Sequence, residues 1–320
     1  TIRDKGTLAI TTGTQFGSVV ALAGGVGGAK FADGLAQCLP AGALTVIVNT
    51  GDDFRHYGLA ISPDLDTVTY TLAGLANPVN GWGLDGDTAQ MLGMLRRYGD
   101  DAWFGLGDKD VATHLLRTQW LAGGSTLTEV TCRLAQALGI QSTILPMSDD
   151  PVPTMVDTVE YGILPFQEYF VKYRWQPTVK RVLLDSTAQP TAATVAALER
   201  ADLIVIAPSN PILSIEPILK AGFMELIAAR RVVCIAISPI VDGQALKGPA
   251  AKLMIEMGLE SSAHGIARYY GNEKLIDGIV IQTGDRVDGM RALATDVVMH
   301  SVPDRARLAQ EVLIWANNLS

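Results

Sequence analysis

Val19-Val20-Ala21-Leu22-Ala23-Gly24-Gly25-Val26-Gly27-Gly28-Ala29-Lys30 opens the part of the chain whose reading decides the fold. A short unbroken apolar run predicts a buried strand, and four glycines in the five positions after it predict a sharp turn. A helix is expected over 29–37, where Phe31, Leu35 and Leu39 recur at helical spacing until Pro40 and Gly42 end it. A second apolar run, Leu44-Thr45-Val46-Ile47-Val48, leads into Asn49-Thr50-Gly51-Asp52-Asp53. Strand, glycine turn, helix and strand joined this closely make a right-handed parallel crossover, the first half of a nucleotide-binding α/β unit. Glycines let the backbone approach an anion, and they aim N–H groups and the positive end of the helix at it.

Working outward, helices are expected from Asp66, over 88–98, behind Asp110, and over 126–138, 191–200, 215–229, 263–270 and 304–317. Further strands are expected at 142–147, 203–207, 232–237, 278–282 and 296–299, the buried ones as continuous apolar runs. Lys247-Gly248-Pro249-Ala250-Ala251-Lys252 opens or joins another helical region. The expected architecture is a Rossmann-like α/β fold, a mostly parallel sheet with helices on both faces. A small antiparallel or helical insertion is expected around 153–180, where aromatics sit among short alternating runs. Residues 1–18, polar and without an apolar core, read as a leader outside the fold, and 19–320 as one domain.

At 320 residues and 48% apolar composition the chain can bury a sizeable core. A formal charge of −8 argues against a surface that coats nucleic acid, though not against a small anion in a local basic pocket. No run approaches the ~18 apolar residues of a membrane span. Cys38, Cys132 and Cys234 lack metal-ligand spacing and lie in apolar stretches, as buried thiols of a reducing compartment do, so the expected location is the cytoplasm.

Several motifs carry chemistry. The glycine turn lacks the Gly-Lys-Ser/Thr ending of a Walker A loop. It departs from the dinucleotide fingerprint too, because Lys30 stands where the third glycine belongs and the second strand ends in Asn49 rather than an acid. A phosphate cradle made by Gly24, Gly25, Gly27 and Gly28, with Lys30 adding charge, is the preferred reading. Asp52 and Asp53, with Asp64 and Asp66 from Ser62-Pro63-Asp64-Leu65-Asp66-Thr67, gather at the same sheet end and suit a hard cation bridging phosphate oxygens. Asp108-Lys109-Asp110, with His114 and Arg117 on the helix behind, offers mixed charge for a second ligand. Ser148-Asp149-Asp150-Pro151 and Pro208-Ser209-Asn210-Pro211 follow strands, where open α/β sheets bind ligands. Glycines that only turn, acids that only cap and a His114 that only packs remain open alternatives on the residues alone.

Six blocks in order resemble one family: the glycine turn, Asn49 to Asp53, Ser62 to Val68, Gly105-Leu106-Gly107-Asp108-Lys109-Asp110 with His114, Leu145 to Val152, and Ala207 to Pro211. It is the 2-phospho-L-lactate transferase family of coenzyme F-420 biosynthesis. A related group, the gluconeogenesis-factor proteins that bind nucleotide sugars, shares the glycine turn and the Pro-Ser-Asn-Pro loop; Trp82-Gly83 and the blocks on either side of it favour the transferase. The resemblance implies a magnesium-dependent transfer of a phospho-three-carbon acid, 2-phospholactate or phosphoenolpyruvate, from its guanosine diphosphate ester to the ribityl hydroxyl of a deazaflavin, releasing GMP. It also implies a homodimer. On this reading Asp52, Asp64 and Asp66 hold magnesium or accept the hydroxyl proton. The glycines, Lys30, Asn49, Asp53, Ser148, Asp149, Ser209 and Asn210 serve the nucleotide or phosphate, and Lys109, His114 and Arg117 line the deazaflavin or the acid.

Overall fold

The computed structural model describes residues 16–184, 187–245, 248–272 and 274–319. Its apolar runs form a seven-stranded parallel sheet: β1 (Val19–Ala23), β2 (Leu44–Val48), β3 (Thr143–Pro146), β4 (Leu203–Ile206), β5 (Val233–Ile237), β6 (Gly278–Gln282) and β7 (Arg291–Thr295). The spatial order is 3-2-1-4-5-6-7, the doubly wound dinucleotide-binding order with one strand added. The order reverses between β1 and β4, which pair Val19 with Leu203 and Leu22 with Ile206. Connections leave their carboxyl ends toward opposite faces, and a crevice opens between them.

Helices cover both faces, which is why the central strands read as unbroken apolar runs rather than alternating ones. They are α1 (Gly25–Cys38), α2 (Pro63–Leu72), α3 (Gln90–Arg97), α4 (Asp110–Ala122), α5 (Leu127–Ala137), α6 (Ala192–Arg200), α7 (Ala250–Glu256), α8 (Ala263–Gly271) and α9 (Val302–Asn317). Val19, Ala21, Ala23, Val46 and Val205 pack with residues of α1, α2, α5 and α9. Val20, Leu22, Ile47, Ile204 and Ile206 pack on the other face with α6, the helical segment 211–228, α7 and α8. Between β3 and α6 a small antiparallel sheet is inserted, with Met155–Thr158 pairing Gly162–Pro165 on one side and Val179–Leu183 on the other. Its Val156, Leu164, Phe166 and Tyr169 join the second core, so the insertion is anchored rather than appended.

The structure departs from the sequence reading at several points. Helix α1 begins at Gly25, so the glycines are its first turn and not a loop before it. The last strand is Arg291–Thr295 rather than 296–299: it is a half-exposed edge strand, and so lacks the apolar run that marks a central one. Segment 211–228 breaks at Gly222, where φ is 93°. Most of the leader, 1–15, and Lys247 lie outside the described residues. Phe16, however, is buried in the first core, and the Gly17 and Ser18 amides donate to Asp202, so the fold starts before Val19. All three cysteines are free, but only Cys234 is buried, Cys38 being half-buried and Cys132 exposed.

Candidate active site

The site is built where the strand order reverses. Gly24 caps α1, its amide donating to Ser209 Oγ (3.1 Å) while that hydroxyl donates back to the Gly24 carbonyl (2.8 Å). A Cβ at Gly27 would lie 2.3 Å from the Pro208 carbonyl oxygen, so only glycine lets the helix start against the loop that follows β4. The amides of a first helical turn have no carbonyl behind them and carry the positive end of the helix dipole. One of them, Gly25 N–H, donates to Asp64 Oδ1 at 2.7 Å.

Asn49, fully buried at the end of β2, binds the acids together. Its Nδ2 donates to Asp52 Oδ1 (2.8 Å) and Asp64 Oδ2 (3.0 Å), and its Oδ1 accepts the Gly51 amide (2.8 Å). Gln167, from the insertion, donates to Asp52 Oδ2 at 3.3 Å. Burial pushes the Asp64 carboxyl up to about 6, against the pull of its Asn49 and Gly25 hydrogen bonds. Burial, and then the charges of Asp64 and Asp53, push Asp52 well above the usual carboxylate range. Among the described residues no Lys or Arg pairs with either acid, and this corner is short of positive charge. Asp53 accepts from Ser62 Oγ at 2.7 Å, leaving Oδ1 buried without a partner, and burial raises its pKa well above the ordinary value.

Asp66 has other company. Arg117 engages both its oxygens, Nη1 at 3.1 Å from Oδ2 and Nη2 on Oδ1. The same Nη1 lies 3.2 Å from His114 Nδ1, His114 Nε2 lies 3.3 Å from Asp110 Oδ2, and the Tyr70 hydroxyl donates to Asp110 Oδ1 at 2.6 Å. His114 and Arg117 are 1% and 2% exposed. Burial pushes the Asp110 carboxyl up, but the bond and charge of His114, with Tyr70 and Arg117, outweigh it and hold Asp110 below the usual range. Asp66, Asp110 and His114 bring possible ligand atoms within 4.8 Å of one another, yet the guanidinium on Asp66 already supplies a cation there. Asp66, expected as a metal ligand beside Asp52 and Asp64, thus spends its carboxylate on Arg117.

These residues open into a cleft of about 500 Å³. Gly24, Gly25, Gly27, Asp52, Asp64, Ser209 and Asn210 line it together with the aromatic rings of Trp82, Phe104, Phe166, Phe170 and Trp175. Phe166 and Phe170 stack with centroids 5.3 Å apart, and Phe170 meets Trp175 at 5.2 Å. Arg174 and Trp175 both adopt left-handed backbone (φ 51° and 47°), a conformation costing about 1–3 kcal/mol per non-glycine residue and held only where its surroundings over-determine it. The sequence reading missed Tyr70, Gln167, Phe170, Arg174 and Trp175 as site residues. The signal available was the aromatic density of 161–175.

Other candidates stand elsewhere. Lys30 Nζ donates to the Met299 carbonyl at 2.9 Å, its pKa lowered by burial and then by Arg305. Lys109 is exposed and holds the Gly86 carbonyl (2.9 Å). Ser148 donates to the Gln189 carbonyl (2.7 Å), and Asp149 accepts the Thr128 amide (2.7 Å) at the start of α5. Gly28 packs against Ser209 and Ala23. Local sequence placed all five near the ligand, but short tethers to neighbouring backbone, or close packing at Gly28, keep them off the cleft wall. Asn210 lines the cleft while its Oδ1 accepts the Ile212 and Leu213 amides.

Comparisons agree with this picture. A family profile described as "2-phospho-L-lactate transferase CofD" matches residues 19–314. A 2-phospho-L-lactate transferase of Methanosarcina acetivorans is 39% identical, over 92% of this chain and 98% of its own. A phosphoenolpyruvate transferase of Streptomyces griseus is 41% identical, over 94% of this chain and 99% of its own. A solved structure from Bacillus halodurans, a member of the UPF0052 family, shares the fold at a TM-score of 0.60 and 17% identity, over 92% of this chain and 98% of its own. The chain belongs to the 2-phospho-L-lactate transferase family and is a transferase.

Proposed function

We propose that the protein transfers a phospho-three-carbon acid, 2-phospholactate or phosphoenolpyruvate, from its guanosine diphosphate ester to the ribityl hydroxyl of 7,8-didemethyl-8-hydroxy-5-deazariboflavin, releasing GMP. The observation that carries this reading is one cleft joining a glycine-started helix and a charge-starved acid pair to rings suited to a flat aromatic acceptor. Relatives bearing the two donor names are about equally similar, so both acids stay in the proposal. The first turn of α1 and the 209–210 loop hold the donor's phosphates. Trp82, Phe104, Phe166, Phe170 and Trp175 stack the deazaflavin, excluding water, and Asp110, oriented by His114 and Tyr70, is placed to take the hydroxyl proton. The Asp52 and Asp64 carboxylates fit magnesium, which typically takes one or two protein carboxylates with substrate phosphates completing its shell. When bound, the ion would neutralise charge developing on the phosphoryl oxygens. The same reading makes the protein a cytoplasmic homodimer, and light scattering should find two chains per particle.

The test is turnover of purified protein with deazaflavin, magnesium and each guanylated acid, followed by chromatography of GMP. Release that requires both deazaflavin and magnesium is the expected result. No release from either donor, with a uridine nucleotide sugar bound instead, would favour a nucleotide-sugar-binding regulator.

Magnesium should act on stability as well. Asp64 titrates at about 6 in the folded chain against about 4 unfolded. Its contribution to metal-free stability is therefore present below about pH 4 and lost as pH rises through about 6. Magnesium needs the ionised form. Its stabilising effect in melting curves should be large near neutrality and shrink as pH falls below about 6; a larger effect in acid would contradict the ligand assignment.

A further inference from the structure

Among the described Lys and Arg side chains, only Arg174 lines the cleft, because Arg117 lies behind the wall on Asp66 and Lys30 and Lys109 are tied to backbone carbonyls. Arg174 is exposed and has no hydrogen-bond or ion-pair partner among the described residues. Its backbone and that of Trp175 are left-handed, and the turn is fixed from within. The Trp175 amide donates to the Tyr169 carbonyl at 3.0 Å, and the Trp175 ring lies on Phe170. Tyr173, on the other side, stacks on Tyr161 with centroids 4.4 Å apart. A strained, well-braced turn that presents a guanidinium, unpaired among the described residues, to a cleft whose wall also carries Asp52, Asp64, Asp66 and Asp110 has the character of a ligand clamp.

The donor assigned above, on which this inference rests, carries two kinds of anion. Its phosphates are served by the helix start and by the magnesium that Asp52 and Asp64 would hold, and its carboxylate has no Lys or Arg there among the described residues other than Arg174. A guanidinium offers the planar two-point donor that a carboxylate matches, and loses little freedom in doing so. We infer that Arg174 binds the carboxylate of the three-carbon acid and is the residue that makes the enzyme demand an acid-bearing donor.

The experiment compares wild type with Arg174→Gln and Arg174→Gly, using the guanylated acid, its carboxamide analogue and GDP. Both variants should raise KM for the acid by about 10–100-fold, the range for a hydrogen bond to a charged group. They should change kcat, the KM for deazaflavin and the affinity for GDP little. Wild type should disfavour the carboxamide by a similar factor, and the variants should no longer distinguish the two donors. Arg174→Gly, which relieves the left-handed strain, should melt no lower than wild type, so that lost affinity cannot be laid to unfolding. An unchanged KM for the acid in both variants overturns the inference, and so does GDP binding weakened as much as donor binding, which would make the contact a phosphate contact. A wild type that neither binds nor turns over a guanylated acid would instead sink the proposed function, and this inference with it.

Discussion

Asp64→Asn should reduce turnover by at least about 10³-fold while the protein stays folded. Asp64 faces the cleft, with Oδ1 on the Gly25 amide and Oδ2 on Asn49. The amide keeps an acceptor for Gly25 but loses the negative charge that a cation needs. Asp64 is also a source of the repulsion acting on Asp52. Neutralising it offsets the mismatch with Asn49, and the metal-free melting temperature should hold or rise. Magnesium should no longer raise it. Turnover near the wild-type rate, in a variant with wild-type circular dichroism, would remove Asp64 from the proposed chemistry.

Arg117→Met should have the largest effect on stability, about 3–5 kcal/mol, because it strands a buried carboxylate without its cation. Asp66 is 6% exposed, Asp110 and Tyr70 close by bring no positive charge, and His114 Nδ1 stands 3.7 Å from Oδ2, farther than the guanidinium. Adding Asp66→Leu to Arg117→Met should recover most of the loss, since a buried pair replaced by apolar groups is often neutral. Equilibrium denaturant melts measure both. A single variant within about 1 kcal/mol of wild type would mean that water, not Arg117, satisfies Asp66.

The sheet was legible because its central strands are buried on both faces. Val19–Ala23, Leu44–Val48, Leu203–Ile206 and Val233–Ile237 announce themselves as apolar runs. The edge strand Arg291–Thr295 has no second layer to demand such a run, and the reading placed it several residues too late. In the site, Asp52 and Ser209 could be placed because they follow the ends of β2 and β4, and Asp64 because the Ser62-Pro63 start of α2 fixes its first turn. Lys30, Lys109, Ser148 and Asp149 sit equally close to motifs, but a flexible or short side chain takes whichever carbonyl or amide is nearest, and spacing does not encode that choice. The Phe166–Trp175 wall was hidden for a different reason. It reaches the cleft only because the insertion packs on the main core, a contact made across more than a hundred residues of chain, as in the 115-residue separation of Gln167 and Asp52.

The hydroxyl of Ser209 clasps Gly24 across 185 residues of chain, and β4 is the strand that sits beside β1. The middle of the sheet is therefore completed by a segment synthesised long after its neighbour. Closing so long a loop precedes any reward from the contact, which makes this a slow, late step in folding. During translation the nascent chain would hold β1 and β2 with one flank of β1 bare until β4 emerges. Ligand affinity would then arrive abruptly, when β4 and the loop after it emerge rather than with β1 and β2, and a ribosome-stalled product ending before residue 203 would have no crevice to offer.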